Sequence, residues 1–463
     1  MTSSLEVMKQ RAKGRRRFLK QSAAALAGGG VGLHPALSMA ATLNDGGPLA
    51  PKPTHAPARA KNLILFFMTG GMSHVDTFDH KPKLNQDAGK EIGSKRIIKA
   101  SQFPFKRYGK SGRMVSDLFP HVGGAIDEFC FLHSVFNDSG GHSAATLGMH
   151  TGSITIPMPS IGSWISYGLG TQNPNLPPFV VFAAKEPYNA YQCWDSHFLP
   201  DYFTGTRVIP GPNPIANLSN PIKSVARRDL ERMMLSDLNE SHLDLRPGDL
   251  ELRARSMTFD TAYGLMREAP EAFDTSGESD TTLDMYGMAR GDQKSFAWQC
   301  LAARRLIERG VRVVELFDVG SNSNWDSHGN MNDHVKLAKT VDQPIAALVN
   351  DLRQRGMLDD TLIVGCTEFG RTPWQDKNPK GRGHHAAAFT CFMVGGGTWA
   401  GFSYGSTDEY GATIASNPVH VNDFHATVLH LMGLEHEALT YRYSGRDFRL
   451  TDIGGKVVRD IIA

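Results

Sequence analysis

The chain carries short, unbroken apolar runs that each end in glycine, carboxylate, imidazole or hydroxyl residues, and this pattern constrains its fold more than any other feature. Asn62 to Met68 reads NLILFFM and stops at Thr69-Gly70-Gly71. Runs of the same kind follow at Phe129 to Val135, Phe179 to Phe182, Val311 to Phe317, Thr361 to Cys366 and Phe389 to Val394. A run without polar alternation predicts a strand buried on both faces, as in a parallel sheet. Between several runs the apolar spacing changes to three and four residues, over 160–168, 292–310 and 335–355; in the last, Leu337, Val341, Ile345, Leu348 and Leu352 share one helical face. Strands alternating with helices predict an α/β fold: a doubly wound, mostly parallel sheet with helices on both faces. Ligands of such sheets gather at the carboxyl ends of the strands.

The first 40 residues stand apart. They hold Lys9, Arg11, Lys13, Arg15, Arg16, Arg17 and Lys20 against the single acid Glu6. Gly14-Arg15-Arg16-Arg17-Phe18-Leu19-Lys20 precedes a weakly apolar stretch from Ser22 to Leu33, and Ser38-Met39-Ala40 offers small residues for cleavage. This leader resembles a twin-arginine export signal, which implies the twin-arginine machinery as a partner and a periplasmic or extracellular destination. Residues 41–61 contain Pro48, Pro51, Pro53 and Pro57 and predict an extended linker before a domain over 62–463. From about 229 to 292 the chain is charged and Met-rich, which predicts a mainly helical insertion. Beyond the leader, 42 basic residues face 46 acidic ones, a net charge of −4 without a basic run, so nucleic acid has no electrostatic footprint here. No later stretch has the continuous apolar length of a membrane span. Cys130, Cys193, Cys300, Cys366 and Cys391 are odd in number and scattered, which predicts buried thiols rather than a disulfide framework or zinc knuckle.

Residues capable of chemistry cluster just after the predicted strands. Gly70-Gly71-Met72-Ser73-His74-Val75-Asp76 follows the first, Gly140-Gly141-His142-Ser143-Ala144-Ala145-Thr146 the second, Trp325-Asp326-Ser327-His328 and then His334 a later one. Thr367-Glu368-Phe369-Gly370-Arg371 and Gly383-His384-His385 come after Cys366. Carboxylate and imidazole close together suit a divalent metal, zinc first, with calcium or magnesium as alternatives. The candidate ligands are Asp326, His328, His334, Glu368, His384 and His385. On spacing alone, Asp326 and His328 fit an Asx turn equally well. Adjacent histidines in a strand face opposite sides, so one of His384 and His385 points at the site and the other packs. Ser143 opens a predicted helix, where it is either a nucleophile beside free N–H groups or an N-cap. Arg371 either clamps an anionic ester or pairs with Glu368. Gly141-His142-Ser143-Ala144-Ala145 falls one residue short of the G-x-S-x-G elbow, which keeps a metal-free serine esterase among the alternatives.

These motifs, read in order with the leader, resemble the exported, sulfatase-like proteins grouped as domain-of-unknown-function family 1501, across nearly the whole mature chain. That family is similar to the alkaline phosphatase and sulfatase superfamily. The resemblance implies an α/β sheet, one or two metals, and Ser143 as the nucleophile. It implies Asp326 with His328 or His334, and His384 or His385, as ligands of a first metal, and Glu315 as an acid beside magnesium. Thr69 stands where phosphatases carry a metal-bridging Asp, and Glu368-Phe369 where they carry Asp-His or Asp-Asn; no Cys-x-Pro-x-Arg or Ser-x-Pro-x-Arg occurs. The expected function is therefore an exported metal-dependent hydrolase of phosphate or sulfate esters, acting on a small anionic ester or a glycan. The alternative is a binding or assembly protein that keeps the fold with an eroded metal site.

Overall fold

The computed structural model describes residues 48–463, apart from 217, 219–223 and 247–248. The leader and the first part of the linker lie outside the described residues.

The strands that build and flank the site are β1 (Asn62–Phe67), β2 (Phe129–Phe136), β3 (Phe179–Phe182), β4 (Thr206–Val208), β5 (Val313–Phe317), β6 (Thr361–Cys366), β7 (Gly370–Gln375), β8 (Arg382–His385), β9 (Phe389–Gly395), β10 (Ser403–Tyr404) and β11 (Val419–His420). All except β7 and β8 form one nine-stranded sheet in the order β10-β2-β9-β6-β1-β5-β3-β4, with β11 also pairing β2. Only β9 runs against its neighbours β6 and β2. β7 and β8 form a separate antiparallel hairpin.

The helices are α1 (His142–Thr151), α2 (Ile161–Leu169), α3 (Val225–Asp244), α4 (Leu250–Phe273), α5 (Asp280–Tyr286), α6 (Phe296–Glu308), α7 (Asp333–Gln354) and α8 (Val421–Leu431). Alternation along β1 explains why they cover both faces. Leu63, Leu65 and Phe67 belong to the core shared with α1, α2 and α8, whereas Ile64 and Phe66 belong to the core shared with α6 and α7. Each such side chain contributes about 1.5–3 kcal/mol on burial. The sheet is thus the mostly parallel one that the sequence predicts, and α3, α4 and α5 lie in the part of the chain where helices are expected. Ser160 and Ser295 cap α2 and α6 by accepting from Ser163 N and Trp298 N.

The segment from Leu49 onward, expected as a linker, is bound to the domain. Lys52 N donates to Leu169 O at 3.0 Å, Arg59 N to Leu431 O at 2.8 Å and His55 N to Gly433 O at 2.8 Å. Leu169 and Leu431 are the last residues of α2 and α8, whose terminal carbonyls have no partner within the helix, so an extended strip of N–H groups satisfies them. All five cysteines are free and buried. Among the described residues no helix is long and apolar enough to cross a membrane.

Candidate metal centre

Four chain segments converge at the carboxyl ends of the central strands. The turn after β1 supplies Gly70 and Gly71, the turn after β2 leads into His142 at the start of α1, the loop after β5 carries Asp326 and His328, and β8 carries His384. The two glycines permit this approach. A Cβ on Gly70 would lie 2.6 Å from Asn324 Cγ, and one on Gly71 would lie 2.7 Å from the Phe369 ring; both residues have positive φ, 111° and 80°. Asp318, at the end of β5, fixes the loop by accepting from Thr69 N (3.0 Å), Val319 N (2.7 Å) and Trp325 Nε1 (2.5 Å). Burial pushes its pKa up to about 7.

The Asp326 carboxylate is the hub. Its Oδ1 lies 3.0 Å from His328 Nε2 and 3.2 Å from His384 Nε2, and its Oδ2 lies 3.2 Å from His142 Nε2. His328 Nε2 and His384 Nε2 are 2.8 Å apart. Each ring has its other nitrogen on an acceptor: His142 Nδ1 on Glu368 Oε1 (2.7 Å), His328 Nδ1 on Asp376 Oδ2 (2.5 Å) and His384 Nδ1 on Gly140 O (2.7 Å). Those acceptors have no proton to give, which assigns a proton to Nδ1 of each ring, so that the neutral form of each ring carries its lone pair on Nε2. Three imidazole Nε2 atoms therefore meet beside one carboxylate, and His142 Nε2 is buried without a hydrogen-bond partner. With zinc–nitrogen bonds of about 2.0–2.1 Å, donor atoms around a tetrahedral ion stand roughly 3.3 Å apart, close to the 3.0–3.2 Å between the Asp326 oxygens and the three Nε2 atoms. The donor atoms of His142, Asp326 and His384 all lie within 4.8 Å of one another. The donors fit a divalent transition metal.

Electrostatics agree with this geometry. Burial alone would raise the Asp326 pKa, but the adjacent His142 and His384 imidazoles and the Arg371 guanidinium hold it far below the usual carboxylate range. Burial alone would lower the His142 pKa, but the Asp326 and Glu368 carboxylates raise it above the ordinary imidazole value. The metal-free cluster attracts cations, either protons or a metal.

The other expected site residues take different places. Arg371 is fully buried. Its Nε donates to Gly71 O (2.9 Å), its Nη2 to Gly70 O and to Asp326 Oδ1 (2.6 Å), and its Nη1 to Arg382 O (3.4 Å). No face of the guanidinium fork is left for an ester, so Arg371 is a fixed cation behind Asp326, and its ion-pair partner is that residue rather than Glu368. Glu368, also fully buried, accepts from Gly70 N at 2.9 and 3.0 Å as well as from His142, and so orients His142. His334 is outside the cluster: its Nε2 accepts from Ser73 N at 3.2 Å, its Nδ1 meets Ser327 Oγ at 3.0 Å, and burial lowers its pKa to about 3. His385 faces away from His384, as strand alternation requires, and stacks on His74 with ring centroids 5.8 Å apart. Glu315 lies within β5, bound to His150 Nε2 at 2.8 Å, and both side chains are buried. Ser143 is exposed as the second residue of α1; the N-cap position belongs to Gly141, and the Ser143 hydroxyl has no hydrogen-bond partner among the described residues.

His142 is the donor that sequence reasoning missed. Its sequence signal is an imidazole directly before Ser143 after a Gly-Gly turn, where the adjacent hydroxyl is the more conspicuous chemical group.

The model of a family described as "Protein of unknown function (DUF1501)" matches residues 60–462. The chain belongs to this family. No curated protein matches this DUF1501 chain. Among solved structures it is similar to the PsFucS1 sulfatase from Pseudoalteromonas sp., at 13% identity and TM-score 0.37 over 82% of this chain and 69% of the other. It is also similar to Ps i-CgsB in complex with k-i-k-neocarrahexaose, at 12% identity and TM-score 0.36 over 81% and 72%. A TAB5 alkaline phosphatase mutant with Mg bound matches at 12% identity and TM-score 0.34 over 82% of this chain and 99% of the other.

Proposed function

We propose that this DUF1501 protein is an exported, metal-dependent hydrolase of phosphate or sulfate esters, built on one divalent cation held by His142, His328, His384 and Asp326. The observation that carries this reading is the convergence of three imidazole Nε2 atoms on one carboxylate, with every outer nitrogen pinned. A donor set of three imidazoles and one carboxylate suits zinc better than calcium or magnesium, which prefer all-oxygen shells. The bound ion would supply Lewis-acid charge stabilisation.

The chain's own residues do the rest. Ser143 stands exposed beside His142, in the first turn of α1, where unpaired N–H groups and the helix dipole favour negative charge. It is the nucleophile of this proposal, and the N–H groups receive anionic ester oxygens. Arg371 keeps Asp326 ionised and fixed, and Glu368 keeps His142 in its Nδ1–H form. The twin-arginine-like leader supports a reaction in the periplasm or outside the cell, and the substrate of this proposal is a small anionic ester or a glycan.

A second reading has its own support: four protein donors are the number that closes a structural zinc site. On that reading the chain is a binding or assembly protein. The metal-free esterase reading has less, because Ser143 has no imidazole partner and the neighbouring His142 directs Nε2 at Asp326.

The test is hydrolysis of 4-nitrophenyl phosphate, a phosphodiester and 4-nitrophenyl sulfate by the metal-loaded wild type and Ser143→Ala. Turnover by the wild type, lost by about a thousandfold in Ser143→Ala with metal content unchanged, supports the hydrolase. A metal-loaded wild type that hydrolyses none of them contradicts it and leaves the structural centre.

A further inference from the structure

Tyr188, in the loop after β3, lies face to face with His142. The ring centroids are 4.4 Å apart and the planes 12° from parallel. Phe369 also contacts the His142 ring, at 4.8 Å and 42°. The Tyr188 hydroxyl accepts from Asn324 Nδ2 at 3.2 Å, and Asn324 Oδ1 accepts from Asp326 N at 3.0 Å. One side chain thus touches the ring of one candidate ligand and, through a single residue, the backbone of another.

The loop that delivers Tyr188 is held in an unfavourable conformation. Asn189 and Ala190 have φ of 64° and 48°, a left-handed pair in which alanine is rarely found. Ala190 N closes the turn on Pro187 O at 3.1 Å, and the Asn189 side-chain amide donates to the carbonyl of Ser143 in the first turn of α1. Such strain persists only where surrounding contacts over-determine it, and it concentrates at functional sites. The contacts that fix this turn are made to the helix start that bears His142 and Ser143.

The bond from Nδ1 to Glu368 alone lets the imidazole rock about it, which swings Nε2 out of the donor cluster, and the Phe369 and His384 rings meet the imidazole only at 42° and 73°. An aromatic plane stacked parallel to it removes that freedom. We propose that Tyr188 is a positioning residue of the centre, which holds the plane of His142 by stacking so that Nε2 meets Asp326 and His384. This rests on the reading of the cluster as a metal centre.

The expected effect follows from what outer partners of metal ligands do when removed, a loss of about 10- to 100-fold in affinity. In zinc titrations against a chromophoric chelator, Tyr188→Leu should weaken binding by about that factor. Tyr188→Phe, which keeps the stack and loses only the Asn324 bond, should stay within about threefold of wild type. A cobalt-loaded sample should show an altered visible spectrum in Tyr188→Leu and an unaltered one in Tyr188→Phe, a signature that mere destabilisation would not produce. The wild type supplies a check that needs no variant: ring-current shielding by Tyr188 should move the His142 ring protons upfield in the metal-free protein. Equal zinc affinity in Tyr188→Leu, or unshifted His142 ring protons, overturns the proposal while leaving the metal centre intact. A wild type that takes up no zinc overturns the metal reading, and this one with it.

Discussion

Replacing Arg371 by methionine separates a structural cation from a substrate clamp. The side chain is completely buried and bonds to three backbone carbonyls, those of Gly70, Gly71 and Arg382, and to Asp326 at 2.6 Å. Methionine fills similar volume and satisfies none of them. A buried acceptor stripped of its donor costs about 1–3 kcal/mol, and removing one partner of a buried ion pair costs about 3–5 kcal/mol. These costs overlap, and Asp326 is partly open to water that can solvate it, so the expected loss for Arg371→Met is about 3–5 kcal/mol rather than their sum. Urea unfolding followed by tryptophan fluorescence measures it through the shift in midpoint at constant slope. Arg371→Lys should fall between the two, since an ammonium keeps the charge but cannot span the carbonyls. An arginine whose function is to bind ester would leave stability nearly untouched when removed. A loss below about 1 kcal/mol would refute the fixed-cation account of this residue.

Two further outcomes are expected. Glu368→Gln keeps the shape of the His142 partner but removes its charge, and should weaken zinc binding by about 10- to 100-fold in a chelator competition, with unchanged affinity contradicting the orienting role. His334 has a folded pKa of about 3 against an ordinary 6.5, so between those values the unfolded chain binds one proton more than the folded one. The stability it contributes is complete above pH 6.5 and falls by about 1.4 kcal/mol per pH unit as pH drops toward 3; His334→Gln should therefore flatten the acid limb of stability against pH by one proton, and an unchanged slope would count against the buried neutral ring.

How much of this was legible in the sequence depends on whether side-chain direction mattered. β1, β3 and β6 fall within continuous apolar runs that only a two-sided sheet can bury, so they were readable. β4, β10 and β11 have two or three residues each, too few to show a pattern, and the β7–β8 hairpin carries Pro373 and polar residues that disguise it. The linker was read from its prolines, but its attachment depends on unpaired carbonyls at two helix ends, which no local pattern shows. At the site, Asp326, His328 and His384 were nominated because they follow strands, and the structure brings them together. Nothing local distinguishes them from His334 and His385, which occupy similar positions yet point elsewhere. Arg371 reads as a clamp until the carbonyls of Gly70 and Gly71 are seen to occupy it. His142 reads as a neighbour of Ser143 until the start of α1 turns it toward Asp326.

The most direct test is the metal content of the full chain, purified without chelator and measured by elemental analysis beside Asp326→Ala and the double variant His142→Ala/His384→Ala. About one equivalent of a transition metal, zinc foremost, is expected in the wild type and little in either variant. A folded wild type without metal that fails to take up zinc, or variants that retain a full equivalent, would contradict the metal centre.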